Sequence, residues 1–283
     1  MTRHTASDSP QNQRLSEAPL SEQIERISTH LRAQPTTASH RWALFQLLCI
    51  KGEWTRAIQQ LQTWAMLDPG QAETAQVYRD LIRAEGWRKQ VVEGRARPGF
   101  ALEPPATIEG LLSALRLAAD EQSEQADDAR ETALGTAPTV AVRIPQGTAA
   151  WIADSDSRFG PVCEVITAGH YRWVPFADLV AWRVSQPAKL VDLVWAPCTL
   201  TLTDKSIVHG FMPARYPGSE TGDDAVRLGR ETVWQTHGRT GVTGLGQKTW
   251  ATDQGDFSLF ELANAEFGAH IANGATVEVR VDG

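Results

Sequence analysis

The stretch GTAPTVAVRIPQG (135–147) decides how this chain divides. It drops the helical periodicity of the residues before it, carries two prolines and is rich in small side chains. Proline fixes φ and removes a backbone donor, so a segment of this kind marks the end of one type of structure. We therefore expect a linker over 136–148. It separates a helical part at 19–135 from a part of another kind at 149–283.

Upstream, apolar residues recur at the 3.6-residue period. Residues 1–18 are polar and without periodicity, and read as a disordered tail. Ser21 can cap a helix carrying Ile24, Ile27 and Leu31 that stops at Pro35. A second helix, about 39–51, lines up Trp42, Phe45, Leu48 and Cys49 before Gly52. A third opens at Thr55, with Ala57, Ile58, Leu61, Trp64, Ala65 and Leu67 on a broad apolar face, and ends at Asp68-Pro69-Gly70. Three more are expected at about 72–88, 107–118 and 125–134, the last of them heavily charged. The block KGEWTRAIQQLQTWAMLDPG (51–70) resembles the second half of a tetratricopeptide unit: turn glycine, small Ala57, bulky Leu61 and closing proline fall at matching offsets. The first half of such a unit matches poorly.

Downstream, alternation replaces the helical period. Leu200 and Leu202 flank threonine, Asp204-Lys205 supplies a turn, and Val277, Val279 and Val281 alternate with charged residues. Two stretches read as helical, FADLVAWRVS (176–185) and the region near 260–267. The fold class expected is multi-domain α and β: a TPR-like helical stack followed by a compact α+β domain or small β-barrel with a covering helix.

Composition narrows the function. Hydrophobic residues make up 42% and charged ones 22% of 283 residues, values of ordinary globular proteins. The net charge is −7, with 16 basic against 18 acidic residues up to 148 and 11 against 16 beyond it, so neither part is a basic module for a phosphate backbone. No apolar run has the length of a membrane span, and MTRHTASDSPQNQ lacks a signal-peptide core. Cys49, Cys163 and Cys198 are odd in number and far apart, as suits free thiols in a cytoplasmic protein.

The densest chemistry lies in WIADSDSRFGPVCEVITAGHYRWVPF (151–176). Asp154 and Asp156 would share a face of a strand and could hold a divalent cation. The preferred reading is a polar turn in which they accept backbone N–H bonds and pair with Arg158. Glu164 or Cys163 with His170 could form an acid/base or nucleophile/base pair, but no hydrolase signature accompanies them. His and Cys are too scattered for zinc, and GVTGLGQ (241–247) reads as a tight turn rather than a phosphate loop. Trp173, Tyr171 and Trp195 suit a core better than a ligand cage, and Arg215-Tyr216 could anchor a loop or meet a partner. No cofactor and no metal are expected. The residues put forward for partner binding are Trp151, Asp154, Asp156, Arg158, Tyr171, Trp173, Arg215 and Tyr216.

Taken together, WIADSDSRFGP, GHYRWVPF (169–176), LVDLVWAP (190–197), MPARYPGSE (212–220) and GLGQ (244–247) resemble the ImpE/TagJ family, the SciE-type accessory proteins of type VI secretion. The resemblance runs from the helical repeats to about Asp253. It implies a TPR-like helical part followed by an α+β part, with no established enzymatic activity. The implied partners are the small sheath subunit TssB, gripped through its N-terminal helix, and the sheath-recycling ATPase ClpV.

Overall fold

The computed structural model describes residues 18–268, so the Val277–Val281 alternation and most of the expected tail lie outside the described residues. The chain divides into two compact units between Ala75 and Gln76.

The first unit holds α1 (Leu20–Ala33), α2 (Ala38–Ile50) and α3 (Trp54–Leu67). Leu20, Ile24 and Leu31 form the buried stripe of α1. Its N-terminal position is Pro19 with no side-chain cap, so Ser21 sits inside the first turn rather than capping it. Between α2 and α3, Gly52 takes φ 69°, a left-handed value that glycine adopts without Cβ strain. The Trp42 and Trp64 rings stack at 4.5 Å. Asp68 accepts from Gly70 N–H at 3.2 Å and closes the turn after α3.

The unit boundary falls inside α4 (Ala72–Val92). The second unit adds α5 (Ala106–Ala119) and α6 (Ser123–Thr136), which pack so closely that a Cβ on Gly110 would lie 2.8 Å from that of Ala133. The strands follow: β1 (Gly99–Phe100), β2 (Val142–Ile144), β3 (Gly147–Ala149), β4 (Ile152–Asp154), β5 (Val162–Thr167), β6 (His170–Pro175) and β7 (Leu179–Val184). After them come β8 (Trp195–Leu202), β9 (Ile207–Pro213), the short α7 (Asp224–Arg227), β10 (Thr232–His237), β11 (Gly241–Gly246), β12 (Thr249–Thr252), β13 (Gly255–Ser258) and β14 (Asn264–Phe267).

Nine of these form one sheet in the order β1-β6-β5-β9-β8-β7-β14-β2-β3. All its pairings are antiparallel except β1 with β6. Its ends do not meet, so the expected small barrel is replaced by an open sheet. β10–β11 is a separate hairpin, and β13-β12-β4 a three-stranded sheet. One apolar core includes Val142, Val165, Val174, Leu200, Trp250, Leu259 and Leu262, with the Trp182 and Trp250 rings 4.8 Å apart.

Four expectations are corrected. Residues 176–185 are not a helix: a single short turn, Phe176–Asp178, leads into β7, which pairs with β8 and β14 and so has no free edge. Leu179 and Ala181 are buried on one face and Trp182 and Val184 on the other, which hides the alternation that identifies a strand. The second helical stretch contains β14. Residues 241–246 form β11 rather than a tight turn, and glycine is required at 244 because a Cβ there would lie 2.4 Å from the Tyr216 ring. The segment read as a linker carries β2 and leads into β3, both in the main sheet.

Candidate functional site

A buried polar cluster joins α4, β5, β6 and the segment before β12. Arg88 lies on the α4 stripe Leu81, Ala84, Arg88, Val91, all buried. Its Nε donates to Glu164 Oε1 at 2.6 Å and its Nη2 to Glu164 Oε2 at 2.9 Å, the two-pronged geometry a guanidinium offers a carboxylate. Nη2 also donates to the Arg215 carbonyl at 2.9 Å. Tyr171 donates its hydroxyl to Glu164 at 2.6 Å and accepts from Trp173 Nε1 at 2.6 Å. Lys248 Nζ lies 2.7 Å from Glu164 Oε2 and 2.5 Å from Asp154 Oδ2, and sits 4.2 Å from the Phe159 ring centre. Two cations thus face two carboxylates, and the charges balance.

Asp154 ends β4, and its Oδ1 accepts from Tyr216 OH at 2.8 Å and from Asp156 N–H at 2.9 Å. Asp156 accepts from the backbone N–H of Arg158 and of Gly244, both at 3.0 Å, and from the Arg158 guanidinium at 2.5 Å. This is the polar turn expected from the sequence, with β11 as an extra donor. Every oxygen of Asp154, Asp156 and Glu164 has a donor, which is the condition for carboxylates to be tolerated in a low-dielectric interior.

Burial is the largest influence on each group. It pushes Asp154 up to about 6, against the opposing charge of Lys248. At Glu164 burial also acts upward, but Arg88 and Lys248 together outweigh it and bring the group down to about 2. Lys248 moves upward, because Asp154 and Glu164 outweigh its desolvation. Burial raises the Cys198 thiol to about 12 and Cys163 further still, so neither is a ready nucleophile.

Of the eight residues put forward for partner binding, Asp154, Asp156, Tyr171, Trp173, Arg215 and Tyr216 are buried. Arg158 is half-buried and Trp151 is 38% exposed. Asp154, Asp156, Arg158, Tyr171, Trp173 and Tyr216 are brought together by the cluster. Arg215 joins it through its carbonyl, while its guanidinium donates to Arg227 O at 2.6 Å. Glu164 and His170 are not brought together: Glu164 pairs in register with Trp173, whereas His170, exposed, pairs with Thr167. Among the described residues no group of three or more His, Cys, Asp or Glu is placed to hold a metal ion, and no helix is long and apolar enough to cross a membrane.

Sequence reading missed Arg88 and Lys248. Both carry a periodic signal: Arg88 occupies a core position of a helical stripe, and Lys248 shares the inward face with Trp250 and Thr252 at period two.

The fold is shared with a Vibrio parahaemolyticus protein of known crystal structure. The two align with a TM-score of 0.84 and 26% identity, over 92% of this chain and 98% of that one. The family model described as ImpE protein matches residues 146–266. The type VI secretion system accessory component TagJ of Pseudomonas aeruginosa is 40% identical over 249 residues, 88% of this chain and 87% of that protein. The chain belongs to the ImpE/TagJ family of type VI secretion accessory proteins.

Proposed function

We propose that this protein is a non-catalytic adaptor of type VI secretion that binds the small sheath subunit TssB through that subunit's N-terminal helix and assists sheath handling by ClpV in the cytoplasm. The observation that carries the reading is the saturation of the polar cluster. Asp154, Asp156 and Glu164 are each taken up by internal donors, which leaves no carboxylate in it disposed toward a substrate. A catalytic acid or base needs a partner atom left for the substrate. The cluster instead fits a structural duty, pinning α4 and β12 to the sheet.

Family membership and the TPR-like block at 51–70 support the protein-binding part, since stacked helices present grooves that read a partner helix through i, i+3, i+4 and i+7 anchors. Trp151 and Arg158, the two candidates with surface to offer, are assigned to contact, and the six buried ones to the frame behind them. Pull-down of TssB by the full-length protein, and titration with the TssB N-terminal peptide, test this. Capture of both is expected, and failure of both refutes the reading.

A further inference from the structure

One surface feature backs onto the cluster at Tyr171. Between α4, the segment leading into β1, and β6 runs a cleft of about 640 Å³. Arg83, Trp87, Arg97, His170 and Arg172 line it, and no carboxylate does. With Arg88 set aside as buried against Glu164, the stretch 79–97 carries five basic and three acidic residues, a surplus of +2 in a chain of net charge −7. We propose that this cleft receives an acidic peptide segment of a partner protein, with Trp87 as the apolar anchor.

Three further observations point to an occupant. Trp87 is 46% exposed, yet its indole donates to the Arg97 carbonyl at 2.9 Å and is thereby held in place. A fixed, partly exposed tryptophan beside arginines has the composition of interface hot spots. Arg172 donates through Nη1 to the Phe100 carbonyl at 2.7 Å, while its Nε is buried without a hydrogen-bond partner. An acceptor brought into the cleft offers what that N–H lacks. Gly86 lies in the interior of α4, where glycine is unfavourable, and a Cβ there would meet nothing within 4 Å. No packing contact explains this glycine, which lines the cleft without a side chain.

The arginines are paired weakly enough to exchange. Arg83 lies 2.9 Å from Asp80 with its side chain 67% exposed, and Arg97 pairs with Glu109 in the open. Exposed pairs contribute about 0–1 kcal/mol, so carboxylates on a ligand can replace them. A cleft of this volume holds a few side chains rather than a folded surface, which selects a peptide. The acidic balance of the rest of the chain disfavours a nucleic acid.

The inference names a surface and a chemistry for the adaptor reading and rests on it. The test uses the full chain and a fluorescein-labelled peptide alternating leucine and glutamate, followed by anisotropy, beside its leucine/glutamine counterpart. The glutamate peptide is expected to bind at least about tenfold more tightly than the glutamine one, and Arg83→Glu and Trp87→Ala to weaken it by about tenfold or more. Arg32→Glu, an equal charge change on α1, should leave binding unchanged. Equal affinity for the two peptides, no binding, or wild-type affinity in both cleft variants overturns the proposal. Circular dichroism confirms that each variant folds, and Arg83→Glu, the more exposed change, stands alone should Trp87→Ala not fold. TssB pull-down run in parallel separates the two readings. Capture by wild type and cleft variants alike removes the cleft and keeps the adaptor, while cleft-dependent peptide binding without TssB capture does the reverse.

Discussion

Lys248 carries a positive charge with 1% of its surface exposed, and it is tolerable there because Asp154 and Glu164 stand at 2.5 and 2.7 Å. Removing one member of a buried pair leaves the other charge uncompensated, at a cost of about 3–5 kcal/mol. Lys248→Met should therefore lower unfolding stability in urea by about that amount. Adding Asp154→Leu to it should recover part of the loss, since Glu164 keeps Arg88 as its counter-charge. A double variant whose losses simply add would show that the two side chains are not coupled. Gly86 gives a prediction of the opposite sign. With open space around its Cβ position, Gly86→Ala should raise stability by about 0.5–1 kcal/mol, measured by thermal unfolding. At this scale the turn of Asp154, Asp156 and Arg158 was legible in the sequence, because the bonds among these three residues span at most two positions. Lys248 is 94 residues from Asp154, and Arg88 is 76 from Glu164. No local pattern pairs residues so far apart.

Elements were legible where one face is wet. The six long helices stand where helices were read; α1 and α3 keep a polar side that makes the period visible, whereas α2 is buried at Leu47, Leu48, Cys49 and Ile50 in succession. β5 is buried at five of its six positions and β7 at four of six, so apolar runs without alternation replace the strand signal there. The β10–β11 hairpin shows the reverse case. β10 is exposed along most of its length and takes little from the core. Its tip is held to α6 by Asp127, which accepts from Arg239 N–H at 2.7 Å, Thr240 N–H at 3.1 Å and the Thr240 hydroxyl at 2.7 Å. These bonds hold the Asp127 carboxyl far below the usual range, the Arg239 N–H contributing most. Asp127→Ala should therefore loosen the tip without melting α6. Amide hydrogen exchange at Arg239 and Thr240 is expected to speed up, with α6 amides little changed. Unchanged exchange at the tip would mean that the strand ladder alone fixes it.

Across the whole molecule, the switch from helical to alternating pattern was visible, but the break was placed too sharply. β2 and β3 contain the Pro- and Gly-bearing residues that read as a linker, and sheet pairing overrides that local composition. The same long-range assembly sets how stability responds to pH. Asp154, raised by burial from its ordinary 3.8 to about 6, holds a proton in the folded state that the unfolded chain gives up. Its contribution is full below pH 3.8 and is lost as pH rises through about 6. Glu164 runs the other way. With its pKa brought from 4.5 down to about 2, its contribution is full above pH 4.5 and is lost as pH falls toward 2. The cluster as a whole should stabilise the fold most near about pH 4–5, between the two limbs. Urea unfolding across the range is expected to show Asp154→Asn flattening the decline between about pH 4 and 6 and Glu164→Gln flattening the acid limb. An Asp154→Asn profile running parallel to wild type between pH 4 and 7 would show that the buried carboxylate stays ionised in the folded state throughout, held by Lys248 and Tyr216.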